Sequence, residues 1–264
     1  MSSRPEHPSP YPVARLAMAV PLLAALTIPT LVPAPASAGF LRPDLHALAS
    51  RRTAAIVAGA AMLGTASLLV ENANAEAEAL GEGALDGPSD VGNIYGAGQV
   101  LGGAALGFLG AGILERKPDW LGTGSDLARS LAYTGVVVTT LKAVVHRTRP
   151  NGGPYSFPSG HTAAAFAVAP VLAQHFGTLA AIPAYALAVS TAMGRMEDRK
   201  HYLSDVVVGA GIGTAVGLAI AVARQARPSK DDDAADYASG APRVPKPSLG
   251  LGIAPTGISL NARF

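Results

Sequence analysis

Apolar positions gather into six long runs, at roughly 53–70, 91–114, 126–145, 161–176, 178–194 and 203–223, with Gly, Pro and charged clusters at most of the joints. Runs of this length and density predict helices, and neither a βαβ alternation nor a solenoid-type repeat is visible. The fold class that follows is all-α, a bundle of about six apolar helices. The stretches 53–70, 91–114 and 206–223 contain no charged residue, and each is about long enough to cross a bilayer. Gly98, Gly102, Gly103, Gly107 and Gly110 recur at spacings that permit close helix approach, as do Gly209, Gly213 and Gly217.

Polar stretches divide the rest of the chain. Residues 71–90 carry Glu71, Glu76, Glu78, Glu82, Asp86 and Asp90 and no basic residue, which predicts a solvated loop or a short polar helix. From Arg224 to residue 247 the chain is polar and Pro-rich, with Asp231, Asp232 and Asp233 adjacent, the composition of a disordered linker. Leu249, Leu251 and Ile253 then alternate with small residues, Pro255-Thr256-Gly257 supplies a turn, and Ile258, Leu260 and Ala262 alternate again. This predicts a C-terminal β-hairpin over 248–264. The terminal Phe264 is a feature shared with outer-membrane strands, but two strands cannot close a barrel. At the other end, Arg4 and Arg15 precede an apolar stretch from Leu16 to Val32, and Ala36-Ser37-Ala38 follows. That order predicts an export signal over residues 1–38, cleaved after Ala38. The helical domain is expected over 39–223.

Composition sharpens this picture. Charged residues make up 14% of the 264-residue chain, against roughly 25% in ordinary soluble domains. The depletion points to a membrane protein or an unusually apolar bundle. A formal net charge of +2 gives no nucleic-acid surface. Without Cys, the chain has no disulfide, thiolate chemistry or Cys-based metal site.

The polar residues that interrupt apolar helices are the candidates for chemistry. Lys142 follows Val136, Val137, Val138 and Leu141, and a buried ammonium is costly unless an anion pairs with it. Arg149 lies seven positions on, two helical turns away and near the same face, and Pro150 ends that helix. A basic helix end facing the dipole's negative terminus is the plainer reading of these residues. Next comes the loop 151–158, rich in Gly and Pro, leading into Ser159-Gly160-His161 at the start of a strongly helical run. Free amides and the dipole at a helix start favour an anion, and Gly160 allows close approach. Ser159 also suits an N-cap, a role compatible with anion binding. Finally, His201 and Asp205 stand at i and i+4 on a helix face, close behind Arg195. A carboxylate beside an imidazole fixes its tautomer and makes it a better nucleophile or base, although a His–Asp pair also simply stabilises a helix.

Together these residues resemble the type 2 phosphatidic acid phosphatase superfamily, which includes bacterial acid phosphatases, lipid phosphatases and vanadium haloperoxidases. Its three motifs are matched in order by Lys142 with Arg149-Pro150, by Pro158-Ser159-Gly160-His161, and by Arg195 with His201 and Asp205. The resemblance implies a metal-independent phosphatase of phosphomonoesters with no cofactor. It implies that His201 forms a phosphohistidine, that Asp205 holds its ring, and that His161 protonates the leaving oxygen and then activates water. Lys142, Arg149, Ser159, Gly160 and Arg195 are implied to bind the phosphate. Gly194 stands where the family pattern has Ser, which removes a hydroxyl near the pocket. The Pro common after the His is replaced by Tyr202-Leu203.

Basic residues at Arg51-Arg52, Arg116-Lys117, Arg129 and Arg224–Arg227 fall on the side opposite the motifs if six helices span, which puts the motifs in the periplasm. A cleaved leader followed by six spans would put them in the cytoplasm instead. The expectation is a membrane-associated enzyme of the bacterial envelope acting on a phosphorylated lipid, with its site facing the periplasm. The alternatives are a soluble exported acid phosphatase acting on small phosphomonoesters, a vanadium haloperoxidase, and a non-catalytic protein that kept the fold.

Overall fold

The structure, a computed structural model, describes residues 41–73, 75, 78, 86–226, 248–254 and 257–263. The expected signal peptide and most of the expected linker lie outside the described residues. Two units are distinguished, residues 1–226 and 227–264. In the second, strands β1 (Ser248–Ala254) and β2 (Gly257–Arg263) pair antiparallel, with Leu251 opposite Leu260.

Among the described residues of the first unit, eight helices have defined extents: α1 (Arg42–Leu48), α2 (Arg51–Ser67), α3 (Asp86–Tyr95), α4 (Gly98–Leu114), α5 (Pro118–Val145), α6 (Gly160–Phe176), α7 (Thr178–Glu197) and α8 (Leu203–Gln225). The six-segment expectation is corrected at three places. The run 91–114 is broken at Gly96, where a Cβ would lie 2.2 Å from Thr191 Cγ2, so that α3 and α4 take different partners. The run 126–145 begins earlier, with Pro118 in the first turn of α5. A short helix, α1, precedes α2. Helix α8 continues through Gln225, so the first residues assigned to the linker are helical.

Helices α6 and α8 form the centre. Helix α6 is buried on several sides through Ala163, Ala165, Ala167 and Ala169, all fully inaccessible, the pattern of a core helix. Small residues allow its backbone to press on α8. A Cβ at Gly213 would lie 2.1 Å from the Ala163 carbonyl oxygen, and one at Gly209 would lie 2.7 Å from that of Ser159. Helices α1 and α2 pack on α8, α7 on α6, α3 on α7, and α4 on α5. The glycines of α4 do not act as expected: a Cβ at Gly98, Gly102, Gly103, Gly107 or Gly110 would meet nothing within 4 Å. Close approach on α4 comes instead from Gly112, against the backbone of Leu121.

Among the described residues, two helices are long and apolar enough to cross a membrane, α7 and α8. Of the three charge-free runs expected to qualify, only 206–223 does, because α2 has 17 residues and 91–114 is split. At the end where α5 and α8 carry Asp126 and Arg224, a buried charge cluster joins four helices. Asp126 pairs with His175 of α6 at 2.8 Å, with Arg224 at 3.3 Å and with Arg129, and Arg129 approaches Asp44 of α1 at 3.6 Å.

Candidate active site

The opposite end of the bundle brings together the last turns of α5 and α7 and the first turns of α6 and α8. Helix α5 stops at Val145 because His146 takes a left-handed conformation, φ 50°, as its C-cap. Arg149 is therefore not on the helix, as its spacing from Lys142 suggested. It reaches the site from the loop, anchored by its amide to the Gly153 carbonyl at 2.7 Å and by the Gly152 amide to its own carbonyl at 2.9 Å.

Lys142 sits in the last turn of α5, with its ammonium donating to the carbonyls of Tyr155 at 2.6 Å and Ser156 at 3.4 Å. Burial, then the charge of Arg149, pushes this ammonium down to about 8, with Asp205 acting in the opposite sense. Ser159 is fully buried as the N-cap of α6, its hydroxyl accepting from the Thr162 amide at 3.4 Å and paired with the Thr162 hydroxyl at 2.9 Å. The Ser159 amide donates to the Asp205 carbonyl at 3.0 Å, which ties the start of α6 to α8. The amides of Gly160 and His161 follow in the first turn, where no intrahelical acceptor exists. Gly160 lies beside the Lys142 stem, 4.0 Å from its Cε to a Cβ built at 160. His161 is brought down to about 4 by burial first, then by the charges of Arg195, His201, Lys200 and Arg149.

Arg195 lies in the last turn of α7 and is 7% exposed. Asn93 of α3 accepts from it at 3.3 Å and donates to Asp198 at the same distance, and Arg195 and Asp198 stand 3.6 Å apart. Helix α3 comes this close because Gly92 packs on α7 at a point where a Cβ would be 2.1 Å from the Ser190 backbone. The Nε atoms of Arg149 and Arg195 are buried and without a hydrogen-bond partner. Gly194 is buried in the same turn of α7.

His201 and Asp205 do not share a helix face. His201 precedes α8, its amide bonded to the Arg195 carbonyl at 3.2 Å, and Asp205 caps the helix by accepting from the Tyr202 amide at 3.0 Å. The pair still meets, with His201 Nδ1 3.5 Å from Asp205 Oδ2, and both residues are buried. Burial holds the His201 imidazole below its ordinary value, against the pull of the Asp205 carboxylate. Asp205 also accepts from Ser156 Oγ and from Arg147 at 2.8 Å.

All eight residues singled out in the sequence thus lie at one end of the bundle. Lys142, Arg149 and Arg195 are close enough for each charge to act on the others or on the two histidines. Four residues escaped the sequence reading: Asn93, Arg147, Ser156 and Glu71. Arg147 lies between Lys142 and Arg149, where the sequence reads as a basic helix end. Glu71 passed for part of a solvated acidic run, whereas its side chain is 5% exposed and paired with Arg147.

Residues 124–229 match the family model described as PAP2 superfamily. The lipid A 1-phosphatase of Porphyromonas gingivalis is 34% identical over 118 residues, covering 43% of this chain and 26% of that protein. The chain therefore spans about a quarter of the length of the curated relative it matches. The crystal structure of a transmembrane PAP2 type phosphatidylglycerolphosphate phosphatase from Bacillus subtilis superposes with a TM-score of 0.44 at 18% identity, covering 77% of this chain and 94% of that one.

Proposed function

We propose, on the premise that residues 124–229 form a PAP2 superfamily segment, that the chain is a membrane-associated phosphatase that hydrolyses lipid phosphomonoesters through His201. The observation that carries this reading is one arrangement. The cations Lys142, Arg149 and Arg195 and the first-turn amides of α6 converge beside a buried imidazole backed by a carboxylate.

Phosphoryl transfer asks for positioning and charge neutralisation above all, and this donor set supplies both. In the first step the His201 Nε2 lone pair attacks phosphorus, the bond from phosphorus to the ester oxygen breaks, and His161 gives that oxygen a proton. Asp205, facing Nδ1, stabilises the imidazolium that results, and such hydrogen bonds tighten as charge develops. In the second step His161 takes a proton from water, whose oxygen displaces His201 and yields inorganic phosphate. The cations that depress His161 are the ones a phosphate dianion would neutralise, so substrate binding itself favours the protonated acid.

Two observations support a lipid substrate. Leu106, Ile113, Leu114, Leu179 and Ile182 on α4 and α7, with Met62 and Leu63 on α2, are each more than 60% exposed, an apolar surface suited to lipid. The relative with 34% identity is a lipid A 1-phosphatase. Arg51, Arg52, Arg116, Lys117 and Arg224 belong to helix ends remote from the site, which supports a site facing the periplasm. The expected export signal belongs to the same proposal.

Phosphate release in the presence of EDTA, from lipid and soluble phosphomonoesters, tests this reading on detergent-extracted and wash-released fractions. Activity is expected on lipid phosphates in the detergent fraction, and His201→Ala is expected to abolish it while leaving the helical circular dichroism signal intact. Near-normal hydrolysis by His201→Ala refutes the assignment. Activity confined to soluble esters in the washed fraction selects an exported acid phosphatase.

A further inference from the structure

Glu71 lies outside the three motifs and Arg147 is one of the six unassigned residues within the first; Arg147 binds the Asp205 carboxylate at Oδ1 and Glu71 braces Arg147 from behind. One guanidinium nitrogen of Arg147 donates to Asp205 Oδ1 at 2.8 Å and to the Ser204 hydroxyl at 2.7 Å. The other reaches Glu71 Oε1. Glu71 Oε2 accepts from the Ser204 hydroxyl at 2.6 Å and from the Ser204 amide at 3.2 Å. The guanidinium also sits over the Tyr202 ring, 3.8 Å from its centre. Both side chains are nearly buried, and Glu71 lies 133 residues before Ser204 in the chain.

We propose that the Glu71–Arg147 ion pair is a positioning unit for the nucleophile, fixing the rotation of the Asp205 carboxylate and the start of α8 so that Oδ2 stands opposite His201 Nδ1. This rests on the reading of His201 as nucleophile. A carboxylate turns broadly about its last torsion, and bonds to both of its oxygens fix it more firmly than bonds to one. Ser156 Oγ and the Tyr202 amide hold Oδ2, the oxygen that faces the ring at 3.5 Å, and Arg147 holds Oδ1. A planar fork can hold Asp205, Ser204 and Glu71 at once, which an ammonium does poorly. Glu71 has an electrostatic part as well. The groups facing His201 are Lys142 from α5, His161 from α6, Arg195 from α7 and Asp205 from α8. A lone Arg147 would add another cation to this set, and Glu71 cancels it.

The test is phosphate release by the full chain in detergent, with kcat and KM taken across pH, alongside thermal unfolding. Arg147→Met and Glu71→Gln are expected to lower kcat on the order of 10- to 100-fold, the size of a lost hydrogen bond to a charged group. KM should change little, since the phosphate cations are untouched. The acid limb of kcat/KM should move to higher pH in Arg147→Met, where the cation bonded to Asp205 is lost, and to lower pH in Glu71→Gln. Arg147→Lys should restore only part of kcat. Breaking a buried pair destabilises, whereas removing both charges is often tolerated. The double variant Glu71→Leu with Arg147→Met is therefore expected to recover thermal stability without recovering kcat. Single variants with wild-type kcat and acid limb overturn the proposal, as does a double variant that regains both stability and kcat. A wild-type chain that releases no phosphate overturns the phosphatase reading and this one with it. An active wild type with unaffected variants overturns this one alone.

Discussion

Replacing Gly209 by Ala would place a methyl carbon 2.7 Å from the Ser159 carbonyl oxygen, at the contact between α8 and the start of α6. Side-chain carbons rarely approach closer than 3.0 Å and ordinarily lie beyond 3.4 Å, so the start of α6 must retreat by about 0.3 to 0.7 Å. The stability effect is modest. Ala gains about 1 kcal/mol over Gly within a helix, and overpacking costs about 1–3 kcal/mol, so the variant should fall between neutral and about 2 kcal/mol destabilised. The activity effect is larger, because the segment that moves carries Gly160 and His161. A displacement of about 1 Å at a reacting group can cost roughly 100-fold, so half that shift predicts about a 10-fold loss in kcat/KM. Phosphate release and thermal unfolding measure the two effects separately. Gly135→Ala on α5 is the control, because its Cβ would meet nothing within 4 Å. It should keep full activity and unfold no earlier than wild type. Full kcat/KM in Gly209→Ala, or an equal loss in Gly135→Ala, would show that this helix contact does not set the register of the site.

Two further outcomes concern the cations proposed to bind phosphate. Lys142 is pushed down to about 8, so it is charged below that pH and neutral above it. Inhibition by orthophosphate or vanadate should accordingly weaken above about pH 8 in wild type, and Lys142→Arg, charged throughout, should flatten that dependence; an unchanged slope counts against placing Lys142 at the phosphate. Asn93→Ala removes the acceptor at 3.3 Å from Arg195 and should weaken vanadate inhibition by roughly 3- to 10-fold, the size of one modest hydrogen bond, with kcat changed less; identical inhibition would show that Arg195 does not depend on α3.

The charged residues of the site were legible in the sequence because apolar helices expose any cation they contain, as with Lys142 after Val136–Val138. Their backbone settings were less so. The left-handed turn at His146, which takes Arg149 off the helix, occurs at a residue with no special turn signature. The placement of His201 before α8 was hidden by its spacing from Asp205, since both a continuous helix and a cap allow the pair to meet. Glycine spacing on α4 and on α8 reads alike, yet of the glycines so spaced only those of α8 lie against a neighbour, because spacing records the capacity for approach and not the partner. Glu71 and Asn93 were invisible for the same reason: their partners lie more than 75 residues away along the chain.

The charge cluster of Asp126, His175, Arg129, Arg224 and Asp44 fastens one end of the central helices, while the bonds around Asp205 fasten the other. Between these two knots α6 and α8 touch through alanine and glycine, side chains with no rotamers to exchange. A pair of rods tied at both ends and in backbone contact along the middle cannot part to admit a substrate. If the proposed site is the enzyme's, its substrate reaches it from the perimeter, by the Gly- and Pro-rich loop between α5 and α6 and the α3 side that carries Asn93, and substrate preference should be altered most readily there.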